Sequence, residues 1–122
     1  MAEHKIVHFE LMGPDGDKLA AFYGDLFGWK LAPTPGFDAY NMTDPEETGI
    51  GGAIGQGNEN MPQYQTIYVQ VESVDEHLAK AEGAGGTTVV PRTEVPGTVT
   101  FGLFTDPAGN LVGVVEEETP GE

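Results

Sequence analysis

No cysteine occurs among the 122 residues, which removes disulfides and thiol chemistry from consideration. No apolar run approaches the roughly 20 residues that a membrane-crossing helix needs. The opening, Met-Ala-Glu-His-Lys-Ile, has no apolar stretch of the kind that directs secretion, so a cytoplasmic location is the expectation. Basic side chains are scarce: five Lys and Arg stand against twenty Asp and Glu, for a formal net charge of −15. Repulsion from phosphate argues against nucleic acid and anionic membranes as partners. It also disfavours long-range steering of an anionic substrate, which only a local pocket can override. Two chemical signatures are missing as well. Gly49, Gly51, Gly52, Gly55 and Gly57 crowd one segment but lack the G-K-[ST] ending and strand-to-helix setting of a phosphate loop. No Ser-His-Asp constellation can be assembled.

The residues that are present describe one domain with a strong internal rhythm. Residues 4–12, HKIVHFELM, alternate as a strand, with Ile6, His8 and Glu10 opposing Val7, Phe9 and Leu11. Gly13-Pro14-Asp15-Gly16 breaks it, and Asp15 or Asp17 is placed to cap the next helix. Over 17–27, Leu19, Phe22, Tyr23, Leu26 and Phe27 make the apolar stripe of that amphipathic helix, ended by Gly28. Short strands are expected at 29–33, 37–42 and 50–55, separated by turns at Pro33-Thr34-Pro35-Gly36 and Asp44-Pro45. A polar linker covers 56–63.

The same order then returns. Residues 64–72, YQTIYVQVE, alternate as a strand. Ser73 and Glu76 match a capping box ahead of a helix over 73–83 whose stripe is Val74, Leu78 and Ala81. Strands are expected at 87–91, 98–105 and 110–116, with Asp106-Pro107-Ala108-Gly109-Asn110 turning between the last two. Strand-helix-strand-strand-strand therefore occurs twice at a period of about 60 residues. This predicts an α+β fold of two βαβββ modules, at about 4–57 and 63–117, joined into one curved mixed sheet with helices on its convex face and a cavity on its concave face. Residues 118–122 form an acidic tail, and Glu116-Glu117-Glu118 are expected to be solvated.

Three segments carry a family resemblance. VHFELMGPDGDKLAAFYGDLFGWKL, with Phe22-Tyr23 on the helix and Leu26-Phe27-Gly28-Trp29 at its end, resembles the opening of vicinal oxygen chelate proteins, the glyoxalase, bleomycin-resistance and extradiol-dioxygenase group. TIYVQVESVDEHLAKAEGAGGTTVVPRTEVPG resembles the start of that family's second module, and FGLFTDPAGNLVGVVE its last hairpin. In metal-dependent members, four strand residues hold one divalent ion that stabilises an enediolate or activates oxygen. Carried onto this chain, those positions fall on His8, on Gly52 or Ala53, on Thr66 and on Gly113. Glycine offers no ligand and a neutral Thr hydroxyl offers a poor one, so the expectation is no family metal and no other cofactor; a divalent ion enters only through replacement ligands such as Glu10, Gln70 or Glu116. The resemblance also implies a homodimer.

Parity then selects the candidate residues. His8 is the candidate acid/base or hydrogen-bonding anchor, and Glu10 its orienting partner. Thr66, Tyr68 and Gln70 share one face of their strand; the resemblance to the family implies that Phe101 and Leu103 line the seventh strand and Gly113 the eighth. Tyr40 and Tyr64 flank the linker and are expected to close the cavity mouth. His77 is expected on the exposed side of its helix, and His4 free near the terminus. Four functional readings stay open: a protein that binds a small apolar or aromatic molecule without a metal; a metal-independent lyase, isomerase or hydrolase of a small oxygenated substrate that uses His8 and Glu10; glyoxalase-type metal chemistry with replacement ligands; and a non-catalytic partner-binding module.

Overall fold

The computed structural model describes residues 4–116; the expected acidic tail and the end of the second module at 117 lie outside the described residues. The elements in chain order are β1 (Ile6–Gly13), α1 (Gly16–Phe27), β2 (Ala32–Pro33), β3 (Tyr40–Met42), α2 (Pro45–Thr48), β4 (Gly51–Gln56), β5 (Tyr64–Val71), α3 (Val74–Gly83), β6 (Thr87–Val95), β7 (Val99–Thr105) and β8 (Leu111–Glu116). They fall into two compact units, one from His8 to Thr66 and one from Ile67 onward that also takes in the residues up to Val7. Each unit is α+β and each runs strand, helix and three strands. No helix of the described residues is long and apolar enough to cross a membrane.

In the His8–Thr66 unit, β4 lies parallel to β1, and β3 and then β2 follow antiparallel. Asp15 caps α1 by accepting a hydrogen bond from the Lys18 amide at 3.1 Å. Gly28 ends the helix in the left-handed conformation that glycine tolerates, its N–H returning to the Gly24 carbonyl at 2.8 Å. The expected strands at 29–33 and 37–42 shrink to two and three residues. Pro33 and Pro35 have no N–H to donate, and the Phe37 amide turns back to the Thr34 carbonyl, so only the flanks pair. Where a simple turn was expected, Asp44 caps a single helical turn, α2, with Pro45 in its first position.

The second unit pairs β5 parallel to β8, and then β7 and β6 antiparallel. Ser73 Oγ accepts from the Glu76 amide at 3.2 Å to start α3. Val74 and Leu78 of α3 join Val71 and Val114 in the core. The helix settles closely because β7 has Gly102 beneath it: a Cβ there would lie 2.9 Å from Val74 Cγ1 and 3.0 Å from Leu78 Cδ1. β6 runs past its expected end at residue 91 to Val95. Its register slips between Thr88 and Thr93, which accommodates Pro91 on a strand at the sheet margin. The Asp106 carboxylate organises the β7–β8 turn, accepting from the amides of Ala108 and Asn110 and from Asn110 Nδ2, each at 2.9 Å. Glu116, expected to be solvated, instead accepts from Arg92 Nε and the Val74 amide, each at 3.1 Å, and so ties β6, β8 and the start of α3 together. The Arg92 hydrogen bond holds its carboxyl below the ordinary range.

Close backbone approach also fixes where α1 begins. A Cβ at Gly16 would collide with the Gln56 amide nitrogen and lie 2.6 Å from the Gly55 carbonyl carbon and 2.8 Å from the Ala39 carbonyl oxygen. Backbone cannot yield as a side chain does, so Gly16→Ala should cost about 1–3 kcal/mol in denaturant unfolding. Nothing lies within 4 Å of a Cβ at Gly83, the last residue of α3. Gly83→Ala should therefore raise stability, by up to about 1 kcal/mol through helix propensity.

Candidate functional site

Strand parity places His8 and Glu10 on one face of β1 and Phe9 on the other. In the parallel register, Glu10 pairs with Ala53 and His8 with Gly51, so the neighbours of both polar side chains are small. Gly52 pairs with Phe9, and a Cβ there would fall inside the Phe9 ring. Of the two candidates for the family position in this segment, Ala53 is therefore the one that shares the His8–Glu10 face. Tyr40 reaches that face because its strand lies close against β4. A Cβ at Gly55 would stand 2.6 Å from the Ala39 carbonyl oxygen and 3.1 Å from Tyr40 Cα. The Gln56 amide holds the Ala39 carbonyl at 2.9 Å, and Ala39 itself is left-handed at φ 48°.

Four side chains meet there. The Tyr40 hydroxyl donates to Glu10 Oε2 at 2.5 Å, and the Tyr64 hydroxyl donates to Glu10 Oε1 at 3.3 Å. His8 Nε2 lies 3.0 Å from the Tyr40 oxygen. Because the single Tyr40 proton is committed to Glu10, the histidine must be the donor in that contact. The neutral imidazole then carries its proton on Nε2 and its lone pair on Nδ1. Glu10 is 7% exposed and His8 is half-buried. Burial pushes the His8 pKa down from 6.5, opposed by the nearby Glu10 charge. Burial, followed by the Glu10 charge and hydrogen bond, pushes both Tyr40 and Tyr64 above the ordinary phenol value. Both tyrosines thus act as neutral donors.

Tyr40 and Tyr64, expected at a cavity mouth, are direct partners of Glu10. Thr66 is buried in the same unit. Residue reasoning missed Phe37, whose ring packs against Tyr40 with centroids 5.8 Å apart; its place just after a Pro-Gly turn gives no periodic signal. The remaining candidates gather in the second unit. Tyr68 lies over Gly113, where a Cβ would be 2.5 Å from its Cε2, and meets Phe101 edge-on at 6.4 Å. Leu103 pairs with Gly113, and Gln70 with Val115. Tyr68 and Leu103 are buried, as the packing of this face requires.

The family's ion requires four donors. Here its positions hold an imidazole, a methyl group at Ala53, a hydroxyl at Thr66 and, at Gly113, a backbone covered by an aromatic ring. The replacement donor beside His8, Glu10, already accepts a tyrosine proton on each oxygen. These residues do not fit an octahedral ion. Among the described residues no three His, Asp or Glu side chains gather as a metal-binding group.

The electrostatic balance at His8 is directly measurable. An NMR titration should place its ring below 6.5, and Glu10→Gln should lower it further by removing the opposing charge. Because protonation is disfavoured in the folded state, this histidine's contribution is complete above 6.5 and is lost as the pH falls below that value. Comparing pH–stability curves of the wild type and His8→Gln isolates the effect from the carboxylates.

Residues 5–114 match the Glyoxalase/Bleomycin resistance protein/Dioxygenase superfamily. A Mycobacterium bovis protein named "Putative glyoxylase CFP32" is 25% identical over 112 residues, covering 88% of this chain. The chain spans 42% of that relative's length. The fold is shared with methylmalonyl-CoA epimerase from Mycobacterium tuberculosis, at TM-score 0.68 and 15% identity over 97% of this chain and 90% of that one. It is shared too with a glyoxalase/bleomycin resistance protein/dioxygenase superfamily member from Vibrio splendidus, at TM-score 0.63 and 12% identity over 94% and 99%. With nearly the whole described chain inside the matched span and two βαβββ units in place, the chain belongs to the Glyoxalase/Bleomycin resistance protein/Dioxygenase superfamily.

Proposed function

We propose that the chain binds a small apolar or aromatic molecule whose polar group is held at the His8–Tyr40–Glu10–Tyr64 cluster, without a divalent ion at the family position. The observation that carries this reading is the Tyr40 hydroxyl, which joins the imidazole to the carboxylate and leaves Glu10 satisfied by hydrogen bonds. A pre-organised polar anchor with aromatic neighbours, here Phe37, Tyr40 and Tyr64, suits recognition of one oriented group on an otherwise apolar ligand. In the second unit, the Tyr68–Phe101 pair, Gln70 and Leu103 are proposed as a further set of ligand contacts.

A second reading is favoured by the tautomer of His8. With Nε2–H engaged by Tyr40, the basic nitrogen is Nδ1, and burial favours the neutral ring that can accept a proton. Glu10 acts through Tyr40 as a positioning residue. This suits a metal-independent lyase, isomerase or hydrolase of a small oxygenated substrate.

One experiment separates the two. Calorimetry of the intact chain against a panel of planar aromatic compounds, with product analysis of the same mixtures, should give stoichiometric binding. Tyr40→Phe should weaken that binding about tenfold, because it uncouples His8 from Glu10 and loses a buried hydrogen bond that orients the cluster. Binding without product supports the first reading. Product formation that His8→Ala abolishes while the fold is retained supports the second. No binding across the panel contradicts the first reading, and equal turnover by His8→Ala contradicts the second.

A further inference from the structure

The apolar stripe expected to seat α1 on the sheet is only partly used for that. Gly16 and Ala20 are buried, and Leu19, Tyr23 and Gly24 are half-buried. The helical repeat turns these residues one way, toward β3 and β4. Small residues are needed there, since a Cβ at Gly16 would meet backbone. Lys18, Ala21, Phe22 and Asp25 point the opposite way with Leu26 at their side, and all are exposed. Phe22, Leu26 and Phe27 are each 57% exposed, whereas no other large apolar side chain among the described residues exceeds 46%. The uncovered apolar surface is therefore concentrated on this one helix. Phe27, at its end, stacks on Tyr23 and packs against Trp29, so Phe22 and Leu26 are the pair left facing outward.

The outward stripe is complementary to itself. Lys18 and Asp25 are seven residues apart, about 10 Å along the axis, so they mark its two ends and do not pair with each other. Phe22 and Ala21 lie at their midpoint. Asp17, the next acidic residue, turns its carboxylate to Asn41 Nδ2 at 3.3 Å and stays outside the stripe. A second α1 placed antiparallel about a two-fold axis through that midpoint makes each contact twice. Lys18 then meets the partner's Asp25, and Phe22 meets the partner's Phe22. Ala21 leaves room for close approach, and the methylene stem of Lys18 runs along the partner's Leu26.

We infer that this face of α1 docks a second copy of the chain, as an antiparallel helix pair centred on Phe22. A chain of net −15 repels its own copy over most of its surface. This stripe sets one lysine against one aspartate, so two copies meet here without bringing like charges together. One helix face buries less than the roughly 800 Å² per partner of a standard interface, so the dimer is reversible and forms at micromolar concentration or above.

The test is sedimentation velocity of the intact chain from micromolar to millimolar concentration, in about 0.15 M salt to screen the distant charges. The wild type should show a monomer–dimer equilibrium, and Phe22→Glu should remove the dimer. Lys18→Asp and Asp25→Lys should each weaken self-association at least about tenfold, because each sets like charges side by side at both ends of the pair. An equimolar mixture of those two variants should associate at least as tightly as the wild type, since every aspartate again faces a lysine. That restoration separates a paired helix from a general change of net charge, and it does not depend on the Phe22 variant. All three substituted positions are exposed, and circular dichroism verifies the fold of each variant. A wild type that stays monomeric, a dimer that Phe22→Glu leaves intact, or a mixture no tighter than its separate components would each overturn the inference.

Discussion

Glu10 is a carboxylate taken almost wholly out of water in a chain that already carries a large excess of negative charge. Burying such a group is costly unless donors reach both of its oxygens. The chain has few basic side chains to offer, and the donors it uses are two neutral phenols, Tyr40 and Tyr64. Much of the first unit follows from placing those phenols. Gly55 lets the strand bearing Tyr40 come close, the left-handed Ala39 directs the chain into it, and Gly51 and Ala53 keep the neighbouring β4 positions small. His8 completes the cluster by donating into the Tyr40 oxygen, which orients the imidazole and fixes which nitrogen is basic.

The positions that hold an ion in the metal-dependent pattern carry a different set of groups in this chain. A metal site concentrates anionic and imidazole donors around a cation. Here one imidazole and one carboxylate are coupled through a hydroxyl, and the other family positions are occupied by a methyl, a hydroxyl and a glycine roofed by Tyr68. Tyr68 fills the space that a side chain at position 113 would need. Gly113 thereby serves the packing of Tyr68 and Leu103 on this face.

Periodicity exposed the architecture because each unit must bury one sheet face and one helix stripe, and burial writes itself into spacing. The alternation around His8 and Glu10, the Ser73 cap and the Asp106 turn are visible for that reason. The short strands β2 and β3 were less legible, since Pro33, Pro35 and Gly36 obscure the few residues that pair. Long-range hydrogen bonding left no trace in the sequence. Tyr40 is thirty residues from Glu10 and Tyr64 fifty-four, so their convergence on one carboxylate depends on register, not on local pattern. The pairing of Glu116 with Arg92, which reaches it from another strand, leaves no local trace for the same reason. His4 and His77 look like isolated surface histidines in the sequence, yet their rings meet edge-on with centroids 5.1 Å apart.

In the proposed reading, hydrogen bonds from tyrosine, not a divalent ion, satisfy the polar cluster at His8 and Glu10. Elemental analysis of the purified chain after loading with Ni, Zn, Fe, Mn or Co and removal of excess metal tests it most directly. Well under one equivalent of each is expected, unchanged in His8→Ala. One equivalent of any of them, lost on His8→Ala, would contradict it.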